Sequence, residues 1–165
     1  MKLSKLYTNQ PELFEPIIFN DGLSVVLGEI KDPKNKNKDT HNLGKSTLGR
    51  ILDFCFLSKK DKDFFLFKHE DKFKQFVFFL ELKLSTSKYL TIVRSVAEPT
   101  KLNFYESANT NSNLFNLADS AWSQSNVPFE MAKQLLDTYL NLEAIKPYEF
   151  RKTIGYLIRA QEDYG

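Results

Sequence analysis

Apolar and polar residues alternate through the middle of the chain in the manner of β-strands. In Phe76–Leu84 every second position is apolar, and Glu81 and Lys83 lie on the other set of positions, so the two sets are predicted to face opposite sides of one strand. A Ser-Thr-Ser-Lys turn leads to a second apolar run at Tyr89–Val96, and Lys101–Tyr105 predicts a third strand. The short connections between these runs predict an antiparallel meander.

The first third of the chain predicts a hairpin, a polar loop and a helix. Ile17–Phe19 and Leu23–Ile30 are apolar runs separated by Asn-Asp-Gly, which is a strong hairpin signal, and the second run is predicted to be a buried strand. A polar segment without periodicity follows at 31–39. Apolar residues then recur at helical spacing, which predicts a helix from Lys45 to Leu57.

Turn residues and helical spacing predict the remaining segments. Ser58–Gln75 is expected to be an irregular connection and Ser107–Asn126 a loop. Pro128 suits the first turn of a helix, with Asn126 as its cap. The buried stripe of that helix is predicted to comprise Met131, Leu135, Tyr139 and Leu142. A last apolar run follows Pro147 and carries Tyr148, Phe150, Ile154, Leu157 and Ile158.

Composition narrows the class of protein. The 165 residues fit one domain or one lobe of a larger domain, and 42% hydrophobic residues allow a sizeable core. A net charge of +2 does not indicate a nucleic-acid binder. Cys55 is the single cysteine, so it forms no internal disulfide, and it is expected to be a small core residue. With two histidines, ordinary zinc sites are excluded. No signal peptide or membrane span is evident, which favours the cytoplasm.

The candidate chemistry lies at the predicted start of the Lys45 helix. The P-loop pattern is G-x-x-x-x-G-K-[ST], and its second half is present as Gly44, Lys45 and Ser46. Asp39 occupies the position of the first glycine, so the match is incomplete, and the loop is expected to turn that carboxylate away from phosphate. An apolar strand before the loop and an amphipathic helix after it supply the context that the motif requires.

The residues at this position suit a nucleoside triphosphate with Mg²⁺. Backbone N–H groups at the start of a helix, together with the helix dipole, attract phosphate. Gly44 allows close approach of the backbone, Lys45 reaches the β and γ oxygens, Ser46 is placed for Mg²⁺ and Thr47 for the α-phosphate. The predicted ATP-binding segment is Asn42, Leu43, Gly44, Lys45, Ser46 and Thr47. The alternative is a helix start without a ligand.

Two further features of this region can each be interpreted in two ways. His41 is more simply explained by a steric or backbone role beside phosphate than by catalysis. The lysine-rich loop Lys31–Lys38 is either a solvated insertion or an electropositive flap over nucleotide or nucleic acid.

The chain resembles the N-terminal head lobe of SMC/RecN/RecF-type ABC ATPases. Within these, it is most similar to a bacterial branch that has a C-terminal domain of unknown function and occurs in ABC-three-component and similar defence-like operons. The resemblance is specific from Leu23 to Phe56 and loose elsewhere. The segments that carry it are Leu6–Asn9, Phe14–Ile17, Phe19–Gly28, Thr40–Leu48 and Ile51–Cys55.

The resemblance implies an α/β fold of the P-loop NTPase class, an ABC-type N-terminal lobe with an antiparallel β subdomain. Residues 1–165 would form one truncated or split lobe, because no coiled coil, signature motif or Walker B segment follows Gln161. In the family, a glutamine at the position of Gln161 approaches Mg²⁺ and the attacking water. The family also implies ATP hydrolysis only with a C-terminal lobe, from the same or a companion chain, and with a second head in a homodimer. It implies action on DNA, in maintenance or in defence against foreign DNA.

Two other functions stay open. A self-contained P-loop kinase or nucleotide switch is the first, although a kinase lid is usually rich in arginine and the chain has four arginines, and Asn35-Lys36-Asn37-Lys38 does not form a guanine-reading motif. The second is a non-catalytic interaction module that keeps the P-loop fold.

Overall fold

The computed structural model describes residues 1–26, 44–110, 113–142 and 150–157. The strands are β1 (Lys2–Thr8), β2 (Ile17–Ile18), β3 (Val77–Ser85), β4 (Lys88–Ser95), β5 (Lys101–Ser107) and β6 (Gln124–Pro128). The helices are α1 (Lys45–Cys55), α2 (Phe65–Lys68), α3 (Glu70–Phe73), α4 (Phe129–Tyr139) and α5 (Phe150–Leu157). A short 3₁₀ helix spans Asp119–Ala121.

The strands form one six-stranded antiparallel sheet in the order β2-β1-β3-β4-β5-β6. The predicted meander is confirmed as β3, β4 and β5, with Leu80 opposite Ile92 and Ile92 opposite Phe104. Strand β1 adds to the other edge of the meander, with Leu6 opposite Leu80. The fold is therefore mixed α and β, with the meander inside a single sheet.

The predicted buried strand Leu23–Ile30 is wrong over its first half. Residues 23–26 belong to no strand, and residues 27–30 lie outside the described residues. Leu23 is 84% exposed, Val25 65% and Val26 50%. In the part of the chain that the structure describes, no strand lies beside this segment, so its apolar side chains have neither a ladder partner nor a covering layer. Strand β2 pairs instead with β1.

Two predicted loops contain regular structure. The segment Ser58–Gln75 holds the single-turn helices α2 and α3, and the segment 107–126 ends in β6. Asn126, predicted to cap a helix, is a β6 residue with φ 52°, and its N–H donates to Oδ1 of Asn103 at 2.7 Å. That side-chain bond replaces a ladder bond where the β5–β6 register shifts, which is a feature that periodicity does not reveal.

The predicted buried stripe of helix α4 is confirmed in part, because Leu135, Tyr139 and Leu142 are partly buried and pack against the core. The fully buried residues of α4 are Ala132 and Leu136, whereas Met131 is 60% exposed. The N-cap is Pro128, so the proline precedes the first turn instead of lying inside it. The buried face of α4 is therefore centred on Ala132 and Leu136, one residue along from the predicted positions, and Met131 lies outside it.

The main core lies between one face of the sheet and the helices. Strand residues of this face pack against residues of α1, α2, α4 and α5; the buried members include Leu6, Phe78, Leu80, Ile92, Phe104, Ile51, Phe54, Leu66, Leu136 and Ile154. Full burial of each such side chain contributes roughly 1.5–3 kcal/mol. The predicted final apolar run is confirmed in part as α5, while Tyr148 and Ile158 lie outside the described residues.

The opposite face of the sheet is also covered. Tyr7, Phe79 and Val93 pack with Leu114 in a second cluster. Glu81, predicted to face away from the apolar side, is fully buried there and accepts hydrogen bonds from the Ser4 and Thr110 hydroxyls. Among the described residues, no helix is long and apolar enough to cross a membrane.

Candidate functional site

Helix α1 begins directly after a left-handed glycine. Gly44 has φ 78° and ψ 0°, and it is the N-cap of α1. Its carbonyl accepts the N–H of Leu48 at 2.9 Å, which closes the first helical turn. Residues with a Cβ avoid this backbone conformation, so a glycine at this position removes the strain that any other residue would carry.

The first turn of α1 is exposed to solvent. Gly44, Ser46 and Thr47 are exposed, and the N-cap Gly44 has no side chain that could cap the helix start. A Cβ added at Gly44 would meet no atom of the described residues within 4 Å. A left-handed residue followed by helical residues turns successive N–H groups toward one side, which is the geometry of an anion-binding nest. No acidic residue lies in this turn to compete with an anion.

The described residues bring together part of the predicted ATP-binding segment. Gly44, Ser46 and Thr47 lie together at the start of α1, and the description of Lys45 covers its backbone only. Several predicted residues lie outside the described residues: Asp39, His41, Asn42, Leu43 and the candidate Mg²⁺ ligand Gln161.

The far end of α1 terminates in a Schellman motif. The Ser58 N–H donates to the Asp53 carbonyl at 3.1 Å, and the Leu57 N–H donates to the Phe54 carbonyl at 3.0 Å. The left-handed position of this motif usually holds glycine, but here it is Leu57, with φ 63°. Leu57 is fully buried, so core packing holds a strained backbone in place.

Arg94 of β4 binds the end of α1 from inside the protein. Its side chain is 1% exposed. The Nη1 group donates to the carbonyls of Phe54 and Ser58, and the Nε group donates to Pro99 O at 2.9 Å. The guanidinium lies 4.2 Å from the Phe54 ring centroid and 5.0 Å from that of Phe129. Burial lowers the pKa of Arg94 to about 10, so the group is charged at neutral pH.

A second arginine joins the same end of α1 to α5. The Nη1 group of Arg151 donates to Oδ1 of Asp53 at 2.7 Å and to the Phe56 carbonyl at 3.1 Å. Two cations therefore lie at the C-terminal end of the helix, where the helix dipole favours positive charge. Sequence reasoning missed both residues. The signal for Arg94 was a lone arginine within the apolar run Leu90–Val96.

The described residues contain no group of three or more His, Cys, Asp or Glu that could hold a metal ion by itself. The Ser46 hydroxyl could contribute one ligand to a Mg²⁺ ion that phosphate oxygens also hold. Cys55 is fully buried, as predicted, and burial raises the pKa of its thiol to about 12. Its thiol is therefore not a nucleophile at neutral pH.

A cavity of about 290 Å³ opens at the β2 edge of the sheet. Its wall includes Lys83, whose Nζ already donates to both carboxylate oxygens of Asp21, at 2.8 and 2.9 Å. That pairing raises the pKa of Lys83 and lowers the pKa of Asp21. At the start of α1, by contrast, the N-cap residue Gly44 offers its neighbours no side-chain hydrogen bond.

Comparison with protein-family models, with curated proteins and with solved structures gives no match for this chain.

Proposed function

We propose that this chain is the ATP-binding N-terminal lobe of an SMC-like ABC ATPase head, with a P-loop NTPase fold. The observation that carries the proposal is the left-handed N-cap Gly44 at the exposed start of α1, directly before Lys45 and Ser46. A Gly-Lys-Ser helix start needs that conformation to direct its N–H groups at phosphate. The two ends of α1 support this assignment, because Arg94 and Arg151 hold the C-terminal end while the N-terminal start is exposed to solvent.

In this proposal each residue has one role toward ATP-Mg. The N–H groups at the start of α1 bind the β-phosphate, and the Lys45 ammonium neutralises the β and γ oxygens. The Ser46 hydroxyl binds Mg²⁺, and the Thr47 hydroxyl approaches the α-phosphate. Gln161 is proposed to reach Mg²⁺ and the attacking water.

Hydrolysis is proposed to need further groups. The sequence has no recognisable Walker B carboxylates or signature serine, and each missing preorganised group costs roughly 10²–10³ in rate. A C-terminal lobe, from the same or a companion chain, and a second head in a homodimer would supply them. ATP-driven engagement of two heads on DNA, in maintenance or in defence against foreign DNA, is the proposed cellular role.

The test is isothermal titration of ATP-Mg into wild type and Lys45→Ala. Loss of a charge-assisted contact, about 1.5–3 kcal/mol, should weaken affinity about tenfold or more. Lys72→Ala is the matched control, because Lys72 is an exposed lysine on α3 and the change should leave affinity unchanged. Equal affinities for wild type and Lys45→Ala would contradict the assignment, and an absence of ATP binding would favour a non-catalytic interaction module.

A phosphate-release assay tests the need for partner groups. Wild type alone should release phosphate at the background rate shown by Lys45→Ala. Robust turnover that depends on Lys45 would instead favour the self-contained kinase or nucleotide switch.

A further inference from the structure

Among the described residues, the buried contacts of α1 are concentrated toward its C-terminal end. The buried residues of the helix, Ile51, Phe54 and Cys55, all lie in its second half. In the first half Ser46 and Thr47 are exposed, and Leu48 is partly buried against the core. The 11-residue helix is about 16 Å long at 1.5 Å per residue. The contacts at the C-terminal end, with Leu48, therefore determine where the first turn lies.

Arg94 provides the geometry of the contacts at the C-terminal end. Its fork contacts three separate parts of the backbone: Phe54 in the last turn of α1, Ser58 after the helix, and Pro99 between β4 and β5. A planar guanidinium holds such partners in fixed directions, which a lysine ammonium does not. The Phe54 and Phe129 rings fix the plane of the guanidinium.

Stability alone is a poor explanation for this arginine. Burying a charge costs free energy, and an apolar residue of similar volume often serves the fold equally well or better. The hydrogen bonds that we find for Arg94 go to carbonyls, and the Asp53 carboxylate also favours its positive charge, although the two are not directly paired among these bonds. Unlike an apolar residue, the guanidinium forms directional hydrogen bonds, and these specify one axial position and one tilt of α1.

We infer that Arg94 is a positioning residue for the proposed nucleotide site, since it sets the position of the first turn of α1 from the opposite end of the helix. The inference rests on the proposed function. Arg94 itself lies about 15 Å along the helix from Lys45, at 1.5 Å per residue, and acts on the phosphates only through α1.

The experiment is titration of ATP-Mg into Arg94→Lys, which keeps the charge and loses the fork. We expect affinity to fall about tenfold, because charge-assisted hydrogen bonds to phosphate depend strongly on geometry. Arg50→Lys is the matched control. Arg50 is a partly exposed arginine on the same helix, bound to Asp61 at 3.2 Å, and its change should leave affinity at the wild-type value.

A second control separates positioning from loss of stability. Val93→Ala truncates a buried residue on the opposite face of the sheet, so it should destabilise the protein without moving α1. Its ATP affinity should equal that of wild type at a temperature where circular dichroism shows both to be folded. Hydrogen exchange at residues 46–48 is the further measurement: ATP should protect these amides in wild type and in Val93→Ala, and much less in Arg94→Lys.

The outcomes are distinct. Wild-type affinity in folded Arg94→Lys would overturn the inference while leaving the proposed function intact. If Arg94→Lys does not fold, Phe129→Leu replaces it, since it removes one ring beside the guanidinium; wild-type affinity in that variant would overturn the inference. If wild type and Lys45→Ala bind ATP equally, the proposed function fails and the inference falls with it.

Discussion

Arg151 Nη1 lies 2.7 Å from Asp53 Oδ1, and this contact joins α5 to α1 across 98 positions of the sequence. The two side chains are 24% and 34% exposed, so solvent screens the pair only in part. Arg151 also donates to the Phe56 carbonyl. Arg151 thus binds both a side chain of α1 and the backbone carbonyl of its C-cap residue.

A double-mutant cycle with Asp53→Asn and Arg151→Met should give a coupling free energy of about 1 kcal/mol in urea unfolding, an intermediate value because the pair is partly exposed. Arg151→Met should cost more than Asp53→Asn, because it also removes the donor to Phe56. The same cycle on the more exposed pair Arg50–Asp61 should give a smaller coupling. Strict additivity of Asp53→Asn and Arg151→Met would show that the contact contributes nothing.

Alanine substitution should change the free energy of unfolding in opposite directions at Gly44, the N-cap of α1, and at Gly49 within the helix. Neither has an atom of the described residues within 4 Å of an added Cβ, so steric clash does not distinguish them. Gly49 is helical, and Gly49→Ala should raise the free energy of unfolding by roughly 0.5–1 kcal/mol. Gly44 is left-handed, and Gly44→Ala should lower it by roughly 1–2 kcal/mol. Urea unfolding measures both changes, and a stabilising Gly44→Ala would argue against the left-handed N-cap.

At Leu57, the glycine variant should be more stable than the alanine variant, which is the reverse of the usual order in a helix. Leu57→Ala and Leu57→Gly both remove a fully buried side chain, and Leu57→Ala should lower the free energy of unfolding by about 2–5 kcal/mol. Leu57→Gly also relieves the left-handed strain, so it should be more stable than Leu57→Ala by about 1 kcal/mol. At Leu136, which is buried on helix α4, the order should reverse, because glycine costs about 1 kcal/mol relative to alanine inside a helix. Chemical denaturation of the four variants checks both orders.

The protein should lose stability above pH 9. Burial raises the pKa of Cys55 to about 12, burial and then Glu106 raise the pKa of Tyr139 to about 12, and burial raises the pKa of Tyr7 well above its usual value. The folded state therefore keeps protons that the unfolded state releases from about pH 8.5 to 10 upward. Because the folded state then binds more protons, stability is fully present below this window and falls as pH rises through it.

Urea midpoints at pH 7 to 10 test this dependence, and Tyr139→Phe should show a shallower decline than wild type, because it removes one titrating group. Arg94, whose pKa burial lowers to about 10, opposes the decline above that pH, since its unfolded state binds more protons there. Constant midpoints from pH 7 to 10 would contradict the burial of these groups.

Local patterns in the sequence predicted the elements whose partners are close in the chain. The meander and α1 follow from alternation and helical spacing, and α1 ends at Cys55, within two residues of its predicted end. The pattern did not predict the position of 23–26, and it placed Met131 in the buried stripe of α4, where the most buried residues are Ala132 and Leu136. Both outcomes depend on which neighbour covers a segment, and periodicity carries no information about distant neighbours.

The two ends of α1 differ in how far the sequence predicts them. The helix start at Gly44 and Lys45 follows from a short local motif and the helical spacing after it, while ATP binding there stays a prediction. The contacts at the other end of the helix could not be predicted, because Arg94 and Arg151 lie 40 and 98 positions from the α1 residues that they bind. A lone arginine in an apolar strand indicates a buried charge, but only the fold identifies its partners.

The order of strands in the sheet also bears on how the chain folds. Strands β3, β4 and β5 are joined by short turns, whereas β1 pairs with β3 from across the segment that contains α1, as in the pair Leu6–Leu80. Closing that long loop costs more chain entropy than closing the turns, so the meander is expected to form first and β1 to join later. Helix α1 would then reach its final place late, and a partly folded chain with a native meander would still lack an organised start of α1.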